Sequence, residues 1–127
     1  MERAELFDLI RETYGIEGDN PFEGSPDATV FRHTNNRKWF ALVMEIKRQS
    51  LGISGEGTID AVNLKCDYIL IHSLLNEKGI YPAYHMNKAH WITVVLNECD
   101  RDRLMGLVDV SYELTKQKSK RTKKSPL

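Results

Sequence analysis

The chain has 127 residues, 18 basic and 18 acidic, and therefore no formal net charge at pH 7. With 41% hydrophobic and 28% charged residues it suits one globular domain around one core, and it is too short for two domains of ordinary size. No apolar run approaches the roughly 18–20 residues of a membrane span, and the opening Met1-Glu2-Arg3-Ala4-Glu5 has no signal-peptide core. A cytoplasmic protein with no membrane partner is expected.

Between Glu5 and Tyr14, the residues Leu6, Phe7, Leu9, Ile10 and Tyr14 share one side of a 3.6-residue repeat, which predicts an amphipathic helix. Gly15 stands where a left-handed terminal residue is needed to stop it. Residues 17–27, with Pro21 and Pro26, are expected to connect this helix to a strand. Residues 29–33 and 38–46 are rich in β-branched and aromatic side chains. The pair Asn35-Asn36 between them tolerates positive φ and predicts a hairpin tip. A loop at 49–57, with Gly52, Gly55 and Gly57, leads to residues 60–66. There strict alternation places Val62 and Leu64 inward, Asn63 and Lys65 outward.

Asp67 is placed to cap a second helix, with an apolar stripe of Ile69, Leu70, Ile71, Leu74 and Leu75 that Gly79 should end. Residues 90–96 predict a further strand. Asp100 then opens a third helix, with Leu104, Leu107, Val108, Ser111, Tyr112 and Thr115 at i, i+3, i+4 spacing. The order is helix, three strands, helix, one or two strands, helix. Such grouping predicts an α+β two-layer sandwich, a mainly antiparallel sheet with helices on one face.

The zero net charge conceals an asymmetry. Lys116, Lys118, Lys120, Arg121, Lys123 and Lys124 fall in the last twelve residues, which hold no acid. Residues 1–115 keep the other 12 of 18 basic residues against all 18 acidic ones, a formal charge of minus six. An acidic body repels polyphosphate on average, so contact with nucleic acid must rest on a local positive patch or on the tail. A single domain over 1–115 and a basic, frayed tail over 116–127 are expected.

Catalytic signatures are not legible: there is no Gly-x-Gly-x-x-Gly, phosphate loop, His-Glu-x-x-His or nucleophile elbow. Cys66 and Cys99 read as packing residues, and acidic Glu98 and Asp100 beside Cys99 oppose a thiolate. The four histidines lack ligand spacing, and Lys88 between His85 and His90 works against a dication. A non-enzymatic chain without metal or cofactor is expected.

The most unusual segment is Tyr81-Pro82-Ala83-Tyr84-His85-Met86-Asn87-Lys88-Ala89-His90-Trp91, which mixes aromatic rings, imidazoles, an amide and a cation without an acid. It suits either a phosphate-gripping, base-stacking surface or a loop stitched to its own fold. Trp91 next to His90, and Trp39 next to Lys38, are each either stacking faces or core plugs under a loop.

Phe31 with Lys38-Trp39-Phe40-Ala41-Leu42, then Val62-Asn63-Leu64-Lys65-Cys66-Asp67, Pro82 through Trp91, and Ser111-Tyr112-Glu113-Leu114 resemble the MmcQ/YjbR family of small bacterial proteins. The likeness runs over roughly residues 5–115, and Pro82 to Trp91 is its most specific part. It implies a CyaY-like fold and a DNA-binding role attributed to a double-wing arrangement of strands and loops. The glycine-containing hairpin tip usual in the family is replaced here by Asn35-Asn36-Arg37, which can make the same turn. Under that role Arg37, Lys38, Lys65, His85, Asn87 and Lys88 are the candidate nucleic-acid contacts, with Tyr84 and Trp91 as candidate stacking faces. The alternative is a binding module for an anionic small molecule or a protein partner, with Tyr84, His85, Lys88, His90 and Trp91 lining the pocket.

Overall fold

Apolar periodicity becomes structure first at the N-terminus, where α1 spans Arg3–Tyr14 and stops at Gly15 in the left-handed conformation (φ 70°). The computed structural model describes residues 1–116. The elements that follow are β1 (Thr29–Arg32), β2 (Trp39–Lys47), a 3-10 turn (Arg48–Leu51), β3 (Thr58–Lys65), α2 (Tyr68–Leu74), β4 (Ile80–Pro82), β5 (Trp91–Val95) and α3 (Arg101–Thr115). Apart from Lys116, the basic tail lies outside the described residues.

The five strands form one sheet in the order β1-β2-β3-β5-β4, with every neighbouring pair antiparallel. Asp67 and Asp100 cap α2 and α3 as expected, accepting from the amides of Ile69 (2.8 Å) and Arg103 (3.1 Å). The second helix is shorter than its apolar stripe suggests. It ends at Leu74, and residues 75–78 tighten into turns as the Asn76 and Glu77 amides reach back to Ser73 and Leu74.

One sheet face packs on the helices. Phe31, Phe40, Val43, Val62, Leu64, Ile92 and Val94 meet Leu6 and Ile10 of α1, Ile71 and Leu74 of α2, and Leu104, Leu107 and Val108 of α3. Both cysteines pack against this core, and burial pushes each thiol above its ordinary pKa. A bulge between β1 and β2 decides what reaches the other face. Phe31 pairs with Ala41 but Arg32 with Trp39, so Phe40 is the extra residue and remains inside. Trp39 is thereby turned to the outer face, where it joins Ala28, Val30 and Leu42.

Asn63 corrects the simple alternation. It does stand on the outer face, level with Leu42 and Thr93, yet it is 0% exposed. The loop after β4 folds back over it: Asn63 Nδ2 donates to the Tyr84 carbonyl (2.9 Å), the Thr93 hydroxyl donates to Asn63 Oδ1 (2.5 Å), and the Tyr84 amide donates to Thr93 Oγ1 (2.8 Å). The buried amide is thus paired at both ends, which is what makes its burial tolerable. Much of the 83–90 loop is a lid on the outer sheet face.

Candidate functional site

Beyond Ala41 and Leu64 the β2–β3 ladder stops, and a side chain of α3 takes over. The Ser111 hydroxyl donates to the Phe40 carbonyl (2.6 Å) and accepts from the Lys65 amide (2.9 Å), replacing the missing strand-to-strand bond. The hairpin at 33–38 is tied to the same helix end. Asn36 Nδ2 donates to the Thr115 carbonyl (2.9 Å), and Asn36 Oδ1 accepts from the Lys38 amide (2.9 Å). His33 Nε2 lies 2.8 Å from Thr115 Oγ1. That hydroxyl gives its proton to the Ser111 carbonyl at 2.8 Å, so the imidazole is the donor and carries its proton on Nε2. Burial lowers the His33 pKa, which favours this neutral form.

These ties position a cleft of about 280 Å³ lined by Arg37, Lys38, Trp39, Lys65, Trp91, Leu114 and Thr115. Arg37 and Lys38 are exposed on the hairpin, and Arg37 adopts positive φ (65°), which turns the chain at the cleft edge. Lys65 and Trp91 are directly opposite on β3 and β5, and the ammonium sits 5.7 Å from the indole centroid. A cation–π contact at such a half-exposed place is worth about 0.5–1 kcal/mol, little enough for an anion to displace. Among the described residues Arg37, Lys38 and Lys65 make no ion pair. The carboxylates pair elsewhere, as in Arg3–Asp60 (2.8 Å), Arg32–Asp19 (2.9 Å) and Arg103–Glu77 (2.7 Å).

The remaining candidates do not join this cleft. Tyr84, His85 and Lys88 line a second one of about 240 Å³ with Ser50, Leu51, Tyr81, Pro82 and Ala83. His85 is exposed at φ 60° and stacks on Tyr84, the ring centroids 3.9 Å apart, so one face of the tyrosine is already covered. Asn87 lines neither cleft. Its Oδ1 accepts from the Ala89 amide (2.8 Å) and its carbonyl from the His90 and Trp91 amides, which shapes the turn into β5. Its carbonyl side is therefore engaged within the loop. His90 is exposed, and its carbonyl accepts from the Cys66 amide.

Residue type leaves Trp39 as either a stacking face or a core plug, and spacing does not mark Leu114 or Thr115 as site residues. Trp39 plays both parts: it packs edge-on against Phe22 (5.8 Å) and forms a wall of the cleft. Only the β1–β2 bulge reveals this, because it sets which face receives the indole.

The YjbR family model matches residues 11–114. This chain belongs to the YjbR family. The Bacillus subtilis (strain 168) protein YyaQ, itself described as uncharacterized, is 39% identical over 117 residues, spanning 91% of this chain and 99% of YyaQ. A crystal structure of a Pseudomonas syringae protein superposes with a TM-score of 0.90 at 43% identity, covering 91% of this chain and all of that one. A Deinococcus radiodurans protein superposes at 0.68 over 95% of this chain and 86% of its own, and at 24% identity it speaks for the fold alone. YjbR membership and the α+β architecture expected from residues and motif order therefore stand. In this YjbR chain the segment Pro82 to Trp91, which carries the resemblance most specifically, covers Asn63 with one part and frames two separate clefts with others.

Proposed function

We propose that this YjbR-family protein is a non-enzymatic DNA-binding module that engages phosphates through Arg37, Lys38 and Lys65. The observation that carries the reading is the convergence of those three cations, unpaired among the described residues, on one concavity. They do so in a chain whose residues 1–115 carry a formal charge of minus six. Like charges gathered against the average sign of a surface focus a local positive potential, and an anion relieves it. The hairpin at 33–38 and the loop at 83–90 are then the two wings, with His85 and Lys88 as outlying contacts. On this reading the protein works in the cytoplasm, where DNA is reached.

A salt titration of duplex binding tests it. The logarithm of the binding constant should fall linearly with the logarithm of salt concentration, by about 0.9 per phosphate neutralised. Lys65→Ala should flatten that slope by about one contact's worth. No binding of either duplex or single-stranded DNA at low salt would overturn the reading.

A second reading is favoured by the shape of the same cleft. It is concave and walled by two indoles, and its size lies near the lower end of the roughly 300–1,000 Å³ typical of small-ligand pockets. A free anionic metabolite carrying an aromatic ring would fit that chemistry. Thermal stabilisation by such a phosphate compound, with none by DNA, would favour it.

A further inference from the structure

The cleft places two kinds of group together that a duplex cannot satisfy at once. Arg37, Lys38 and Lys65 supply positive charge, while Trp39, Trp91 and Leu114 supply apolar and aromatic surface in the same concavity. In duplex DNA the phosphates are outside, and each base has its faces covered by neighbours in the stack. Side chains reach base edges in the grooves, not base faces. An indole adjacent to phosphate-binding cations therefore has little to hold on a duplex. A single strand is different, because its bases swing free and present a face together with the adjoining phosphate.

We propose that this cleft holds one unstacked nucleotide of single-stranded DNA, the base against an indole and the neighbouring phosphates on Arg37, Lys38 and Lys65. The proposal rests on the DNA-binding reading above and specifies the form of DNA. The position of Lys65 supports an exchange on binding. Its ammonium lies over Trp91 in the free protein, and an arriving phosphate can draw it off the ring as the base takes its place. The hydrogen bonds from Asn36 and His33 to Thr115, and the Ser111 bridge to Lys65, hold the hairpin edge and the β3 edge of the cleft to one helix end. The cations are thereby presented on a fixed frame, which limits the ordering cost of binding.

Trp39 and Trp91 are the two tryptophans of the chain, and both line the cleft, so indole fluorescence reports on this site directly. The full-length protein is titrated with a short oligodeoxythymidylate strand and, at the same salt, with the duplex of that strand and oligodeoxyadenylate. The strand should bind roughly tenfold more tightly and quench the emission, as base stacking on an aromatic ring does. Trp91→Leu should abolish the preference, and Trp91→Phe should retain most of it. Unfolding midpoints of both variants establish that they are folded. If Trp91→Leu does not fold, the wild-type comparison decides alone. Duplex binding as tight as strand binding overturns this proposal and leaves the DNA-binding reading standing. Strand binding without a change in emission overturns it as well. Binding of neither form overturns both.

Discussion

His33 is 3% exposed, with its ring centroid 4.5 Å from that of Tyr112 and 5.2 Å from that of Phe40. Burial is the main reason that its pKa lies below the ordinary 6.5; a hydrogen bond to the Tyr112 backbone and the charge of Glu113 oppose it, and Lys116 and Lys38 lower it further. The sign of the consequence follows from where protons bind. Above about pH 6.5 the imidazole is neutral in both folded and unfolded chains, and its full contribution is present. As pH falls the unfolded chain takes up a proton before the folded one does, so stability drops through the window from 6.5 down to the lowered native value. Chemical denaturation between about pH 7.5 and pH 5 should show this drop, and His33→Gln should flatten it. Glu77 titrates in a lower window. Its hydrogen-bonded pairing with Arg103 holds its carboxyl below the ordinary 4.5, so that contribution is lost only in stronger acid. Asn63 is the residue-scale counterpart in the lid. Asn63→Ala should lower stability by about 2 kcal/mol, because the Tyr84 carbonyl and the Thr93 hydroxyl lose their partner in a dry place, and denaturant titration measures it. Its burial was not legible in the alternation of β3. Period two assigns a face, whereas exposure on that face depends on a loop twenty residues further on.

At the level of elements, signals that act within a few residues were readable and those that depend on pairing were not. Gly15, Asp67 and Asp100 mark helix ends because a left-handed residue or a capping carboxylate works locally, and all three do so here. The strand β4 is three residues long and contains Pro82, so propensity alone gives it no claim; it exists because Ile80 to Pro82 can pair with β5. The candidate site followed the same rule. Arg37, Lys38, Lys65 and Trp91 were identifiable by residue type, but their separation from Tyr84, His85 and Lys88 is set by sheet register and by the fold of the lid. Ser111 is the junction at this scale, since its one hydroxyl serves β2 and β3 where their ladder ends. Ser111→Ala leaves the Phe40 carbonyl and the Lys65 amide without that partner. A loss of about 2 kcal/mol in denaturant titration is expected. It should be accompanied by weaker nucleic-acid binding at equal folded fraction, because the edge that carries Lys65 is no longer held to α3.

For the whole molecule the decisive quantity is how charge is distributed between body and tail. Residues 1–116 hold 13 of the 18 basic residues and all 18 acidic ones, while residues 117–127 add five basic residues and no acid. Counterion release makes every cation that meets a phosphate contribute to the salt dependence, wherever it lies in the chain, whereas stacking on an indole contributes almost nothing to it. The two can therefore be separated by truncation after Lys116. If the cleft is the reader and the tail an auxiliary, the truncated protein should bind single-stranded DNA more weakly at low salt and show a shallower salt slope. Quenching of Trp39 and Trp91 at saturation should be undiminished. At high salt, where the tail's charges are screened, the two proteins should converge in affinity. Loss of all binding and quenching on truncation would instead make the tail the principal contact, and the cleft would then have no part in recognising nucleic acid.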